Sequence, residues 1–230
     1  VSDAAGSAGD PATGRIDGPG PAVVALGLAA ALAAFTATFR GPRERFWDRM
    51  TLTGLVLGGA SLALSRPTRR GLLGLRAWHV PAGLASAAAL YATFAVGDRF
   101  ARRFVPGGDR EIRAIYALRE LRPRPELAIR LGTVIGPAEE LFWRGLVQAG
   151  LMRAVGRWPG AALAAGAYGG VHIVTGNLTL VGAAGVAGAE WCLLSAAGVP
   201  LGALIVSHVA WDIWIFLVAP TGETSAVAPA

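Results

Sequence analysis

The sequence predicts an all-α protein: a polytopic transmembrane helix bundle of about seven membrane helices plus an interfacial amphipathic helix. Three observations predict it. Of the 230 residues, 53% are apolar and 16% charged, with a mean hydropathy of +0.50; soluble domains run about 45–50% apolar and about 25% charged. Residues 21–39 and 78–97 are uncharged runs of nineteen and twenty residues, and 158–189 hold no Asp, Glu or Arg over thirty-two; about 18 suffice for a membrane span. The basic residues, all 21 of them Arg, cluster between the hydrophobic runs. There they set membrane orientation rather than build a nucleic-acid face. The lipid bilayer is therefore an expected partner and nucleic acid is not.

Taken in order, residues 1–20 are dominated by Gly, Ala, Pro, Ser and Asp, a composition that reads as a disordered tail and lacks the basic start of a signal peptide. The first span is 21–39. Four arginines follow in 40–49, and 50–65 is a short, Gly-rich second span. The third, 78–97, opens on Trp78 as an interfacial anchor. Residues 98–126 hold eight arginines with Phe100, Phe104, Ile112, Ile115, Tyr116 and Leu118 at roughly helical spacing. That pattern predicts a basic amphipathic helix on an anionic membrane surface, ended by Pro123 and Pro125. The remaining spans are 127–152, 158–174, 178–196 and 201–218, with turn signals at Gly176-Asn177 and Gly198–Pro200. One domain, 21–218, takes up the chain, and 219–230 forms a mobile tail. Counting arginines by side favours a cytoplasmic 98–130 loop. Gly54/Gly58 and similar small pairs four apart predict close helix packing. The single cysteine, Cys192, permits no internal disulfide.

The chemistry gathers in the last, most apolar part. Glu139, Glu140 and Arg144 lie in one span, His172 in the next, and His208 with Asp212 in the last; Glu190 is a further acid. Each ionisable group at bilayer depth costs roughly 2.5–3.5 kcal/mol on insertion scales, so the set needs a reason. Glu140 and Arg144 are four apart, share a face and can pair. Glu139 lies about 100° round the helix from Glu140 and points elsewhere. Tyr168/His172 and His208/Asp212 are also four apart. Polar groups in lipid turn inward, so Glu139, His172, His208 and Asp212 are expected to converge on one pocket.

A carboxylate in a low-dielectric cavity beside a second carboxylate holds a proton more readily, which suits a base working near neutral pH. Arg144 can neutralise Glu140 and leave Glu139 to exchange the proton. One histidine can orient water; a second, held by Asp212, can hydrogen-bond a carbonyl oxygen as charge develops on it. These are parts for hydrolysis by an activated water. The same atoms offer a zinc ligand set, Glu139, His172 and His208, although HExxH is absent. Alone, the Glu140–Arg144 pair reads as a structural ion pair and each histidine as a helix–helix hydrogen-bond partner. The functional reading rests on three spans each carrying such a pair, while 21–39 and 51–65 carry no charge at all.

At these residues the chain resembles the CPBP family of intramembrane proteases, which includes the type II CAAX prenyl endopeptidases and the Abi proteins. The family's EExxxR stands here as Glu139-Glu140-Leu-Phe-Trp-Arg144, its FxxxH as Tyr168-Gly-Gly-Val-His172, and its HxxxN/D as His208-Val-Ala-Trp-Asp212. The resemblance covers about 127–218. It implies a helix bundle of eight or fewer helices with a conical cavity, and peptide-bond hydrolysis by a glutamate-activated water. It further implies Glu139 as base, His172 as its partner in holding the water, His208 and Asp212 as the oxyanion-stabilising pair, and Glu140 and Arg144 as support. Two positions depart from the pattern: Tyr168 stands for Phe, and Asp212 stands where the CAAX enzymes have Asn. Asp212 must therefore be protonated, or act by orienting His208 as a cation.

The function expected is an intramembrane endopeptidase acting on a membrane-associated peptide or lipidated protein, multi-pass in a bacterial inner (plasma) membrane. No cofactor is expected, with zinc the alternative. The other functional readings are a non-catalytic CPBP-like membrane scaffold or binding protein and an ion-coupled transporter; the lack of an inverted repeat counts against the transporter.

Overall fold

The computed structural model describes residues 16–221, and among them the chain is helical with no β-strand. Helix α1 (Pro21–Phe39) leads to α2 (Phe46–Leu64), short α3 (Arg66–Leu73) and long α4 (His79–Phe104). Helix α5 (Gly108–Tyr116) follows. From Arg124 to Val155 the helical path is unbroken: α6 (Arg124–Arg130), α7 (Gly136–Phe142) and α8 (Ala149–Val155) are joined through wide π-turns at Leu131–Ile135 and Trp143–Gln148. Pro137 supplies a cause for the first widening, since it has no N–H to give the ladder; the Gly136 N–H reaches back five residues to the Leu131 carbonyl. Helix α9 (Arg157–Val171) ends in a tight turn at His172–Thr175, and α10 (Leu178–Ala196) and α11 (Leu201–Ile213) complete the bundle.

Among the described residues four stretches are long and apolar enough to cross a membrane: Pro21–Phe39, His79–Phe104, Leu178–Ala196 and Leu201–Val218. They expose apolar side chains such as Leu26, Val96, Leu193 and Val218, as lipid-facing helices do. The other three expected spans are helical but fall outside that description for physical reasons. Helix α2 starts earlier than the expected 50 and takes in Asp48 and Arg49. The 127–152 span carries the ionisable cluster and is interrupted by π-turns. Helix α9 has 15 residues.

The expected amphipathic helix over 98–126 is instead divided among the end of α4, α5, a 3₁₀ turn at Ala117–Leu121 and the start of α6. Helix α4 runs on to Phe104, and the chain reverses at Gly107, whose φ of 78° is the left-handed region glycine favours. The apolar side of α5 faces protein: Ile112 is buried, and Ile112, Ile115, Tyr116 and Leu118 line the central cavity. Phe100 and Phe104 stay exposed.

Residues 1–15 of the expected N-terminal tail and 222–230 of the C-terminal tail lie outside the described residues. Within them, Asp17 pairs with Arg70 at 2.8 Å, and the Gly18 carbonyl accepts from Arg153 Nη1 at 2.6 Å. Thr221 is buried, and its hydroxyl lies 3.2 Å from Asp98 Oδ1 and 3.0 Å from the Tyr116 hydroxyl.

The core is aromatic and aliphatic, with Phe35, Leu90, Leu127, Phe142, Trp143, Trp191 and Leu204 sealed from solvent. The Gly54/Gly58 pair does bring two backbones together. A Cβ at Gly58 would stand 2.9 Å from that of Ala138 on α7, so glycine here lets α2 lie directly against the helix that carries the two glutamates.

Candidate active site

Helix α7 presents its adjacent glutamates in different directions, as 100° per residue requires. Glu140 is fully buried. Its Oε1 stands 3.0 Å from Arg144 Nη1 and 2.7 Å from His208 Nδ1 on α11. Glu139 is half-buried and lines a cavity of about 550 Å³. Tyr168, His172, His208 and Asp212 line the same cavity. The four residues expected to converge do so, from α7, the end of α9, and α11.

Glu139 is held by the Tyr168 hydroxyl, which donates to its Oε2 at 2.9 Å. His172 caps α9, and its Nδ1 lies 2.8 Å from the Tyr168 carbonyl oxygen. A carbonyl only accepts, so Nδ1 carries the proton. A neutral ring then has a free lone pair on Nε2. The ring packs edge-on against Phe35 of α1, with centroids 5.2 Å apart. This tautomer suits a group that accepts from water.

His208 is arranged differently from the expectation. Its Nδ1 is engaged by Glu140, and Asp212 Oδ2 is 3.6 Å from Nε2, beyond direct hydrogen-bond distance. Glu140, expected only to support the first motif through Arg144, is thus the orienting partner of His208. Asp212 is the second carboxylate beside the ring. The ring can present an N–H from Nε2 while Nδ1 donates to Glu140 only as imidazolium, and carboxylates near both nitrogens are the counter-charges of that form.

Arg144 is 3% exposed. It makes the ion pair with Glu140 out of line for a hydrogen bond, and its Nε and Nη2 meet no hydrogen-bond partner among the described residues. Two aromatic faces hold it instead: its guanidinium carbon is 4.8 Å from the Tyr168 ring centre and 5.1 Å from that of Trp191. Trp191 also stacks on His208, with centroids 4.1 Å apart and planes 20° apart. Sequence reasoning missed Trp191 and left its neighbour Glu190 as a further acid without a role. The available signal was the indole N–H itself: a tryptophan inside an apolar helical run needs a partner for it.

Among the described residues no group of three or more His, Cys, Asp or Glu is placed to hold a metal ion. Apart from the polar patch the cavity walls are mostly apolar, with Phe94, Ile112, Trp211 and Phe216 among them. Its volume lies in the range of small-ligand pockets, about 300–1,000 Å³.

Fold and site together define a class: a helical integral membrane protein with a carboxylate–histidine cluster lining a mostly apolar cavity. Residues 125–214 match the family model described as type II CAAX prenyl endopeptidase Rce1-like, which bears out, over the segment that holds all three motifs, the family resemblance read from them. No curated protein and no solved structure matches the chain.

Proposed function

We propose that the protein is an intramembrane endopeptidase that hydrolyses a peptide bond of a membrane-associated or lipidated substrate, using a water activated by Glu139. The observation that carries this reading is the division of labour between the adjacent glutamates. Glu140 is sealed with Arg144 and His208, while Glu139 faces the cavity with one oxygen held by Tyr168.

A water between Glu139 and His172 Nε2 gives a proton to Glu139 as its oxygen bonds to the scissile carbonyl carbon. Charge develops on the carbonyl oxygen, where the Nε2–H of an imidazolium His208 stabilises it. As the C–N bond breaks, Glu139 returns the proton to the leaving amine. The apolar walls receive the hydrophobic part of the substrate. Asp212 acts as counter-charge to His208 rather than as a direct ligand of the oxyanion. A bacterial inner membrane is the proposed location.

The test is cleavage of a quenched fluorescent peptide library that includes S-farnesyl cysteine peptides, by detergent-purified protein beside Glu139→Ala, with and without a strong chelator. Cleavage by the wild type alone, unaffected by chelator, is the expected result. Equal cleavage by Glu139→Ala sinks the reading, and loss with chelator returns the metal alternative.

A further inference from the structure

Behind the cavity a second set of polar groups joins three helices. Trp191 Nε1 donates to Ser207 Oγ at 3.0 Å. Ser207 and Ser86 hydroxyls are 2.8 Å apart, and Ser86 Oγ donates to Glu190 Oε1 at 2.8 Å. The direction of this chain is fixed by its ends. An indole N–H only donates and an ionised carboxylate only accepts. Ser86 gives its one proton to Glu190, so Ser207 gives its own to Ser86. Every donor therefore points toward Glu190, from α10 across α11 and α4 and back to α10. Trp191 and Ser207 are completely buried. The indole so fixed is the one that stacks on His208 and lies beside Arg144.

We propose that Trp191 is a positioning residue for His208, and that the Ser207–Ser86–Glu190 chain fixes the plane of its indole. A stacked ring must keep its plane to hold its partner's plane. Without an acceptor at Glu190, the two serine hydroxyls lose their common direction and the indole N–H loses a fixed partner. Glu190 thereby acts at a distance on the imidazole without touching substrate. Its kinetic consequence rests on the proteolytic reading above; its geometric consequence does not.

The experiment has two arms on the same variants. In the first, the protein is labelled with [15N]histidine and studied by NMR in detergent micelles. It contains three histidines, and the His208 lines are assigned by their loss in His208→Gln. Glu190→Leu and Ser207→Ala are expected to move or broaden the His208 lines while those of His172 hold. Glu190→Gln keeps an acceptor oxygen and is expected to restore the wild-type lines. In the second arm, cleavage of an S-farnesylated quenched peptide is expected to fall about tenfold or more in kcat for Glu190→Leu, with KM within about twofold and recovery in Glu190→Gln; that split marks loss of transition-state geometry rather than of binding. His208 lines unchanged in both Glu190→Leu and Ser207→Ala overturn the proposal. So does a loss in Glu190→Leu that appears only as lower thermal stability, with kcat per folded molecule intact. A wild type that cleaves nothing overturns the proteolytic reading alone, and the histidine spectra then decide this one.

Discussion

His208 Nδ1 and the Glu140 carboxylate, both buried, meet at 2.7 Å, and the same Glu140 oxygen stands 3.0 Å from Arg144. One oxygen thus ties α7 to α11 and serves two cationic partners at once. Glu140→Gln leaves Arg144 buried without its counter-charge, and breaking a buried pair in this way costs about 3–5 kcal/mol. The expected outcome is a large fall in melting temperature in detergent, with cleavage per folded molecule reduced about 10²-fold as His208 loses the negative charge that favours its imidazolium form, although Gln keeps an acceptor oxygen. A variant as stable as the wild type contradicts the shared-oxygen arrangement.

Tyr168→Phe removes the 2.9 Å hydrogen bond to Glu139 and leaves the ring against Arg144. A neutral-to-charged hydrogen bond contributes about 1.5–3 kcal/mol, but Glu139 is half-buried and the cavity can hydrate the freed oxygen. Activity is expected to stay within about tenfold of wild type, measured as kcat/KM on the farnesylated peptide. Complete loss would make the tyrosine hydroxyl a participant in the chemistry.

Asp212→Asn changes a group that stands 3.6 Å from His208 Nε2 and leaves the shorter Glu140 contact untouched. Cleavage is expected to persist within about tenfold, whereas Asp212→Ala, which removes the polar side chain beside the ring altogether, loses more. Steady-state kinetics of the two variants side by side check the order.

Outside the spans, Glu111 of α5 holds the start of α10. Its Oε2 accepts from the Thr179 hydroxyl at 2.7 Å and the Thr179 N–H at 2.9 Å, and these bonds, the hydroxyl's first, hold its carboxyl below the ordinary 4.5. A carboxyl held low in the folded state stabilises the fold at pH above its unfolded value and loses that contribution as pH falls through the folded one. Glu111→Ala is therefore expected to melt below the wild type at pH 7, and the gap to close as pH falls below 4.5. Thermal unfolding in detergent at both pH values measures it; a gap independent of pH would place the effect in packing.

The local rules of helix geometry and membrane hydropathy made much of this legible in the sequence. Spacing of four predicted the Glu140–Arg144 pair, and 100° per residue separated Glu139 from Glu140. Inward turning of polar groups in lipid predicted that three elements would share a cavity. What stayed hidden depends on which helices lie side by side. Nothing in the 68-residue separation of Glu140 and His208 says that they touch, so His208 was paired with its own helix neighbour Asp212. Ser86 and Ser207 are 121 residues apart, and nothing in the sequence says that their hydroxyls meet. The 98–126 segment divides at Gly107, a break its apolar stripe does not announce, and the stripe alone does not say whether lipid or protein covers it.

The most direct measurement is the cleavage rate of Glu139→Gln on the farnesylated peptide, with its melting temperature taken alongside. Gln keeps the shape and an oxygen for Tyr168 but cannot take a proton from water. If Glu139 is the base, the rate falls at least about 10²-fold in a protein that melts within a few degrees of the wild type. A rate within twofold of the wild type contradicts a glutamate-activated water and assigns the chemistry to another group.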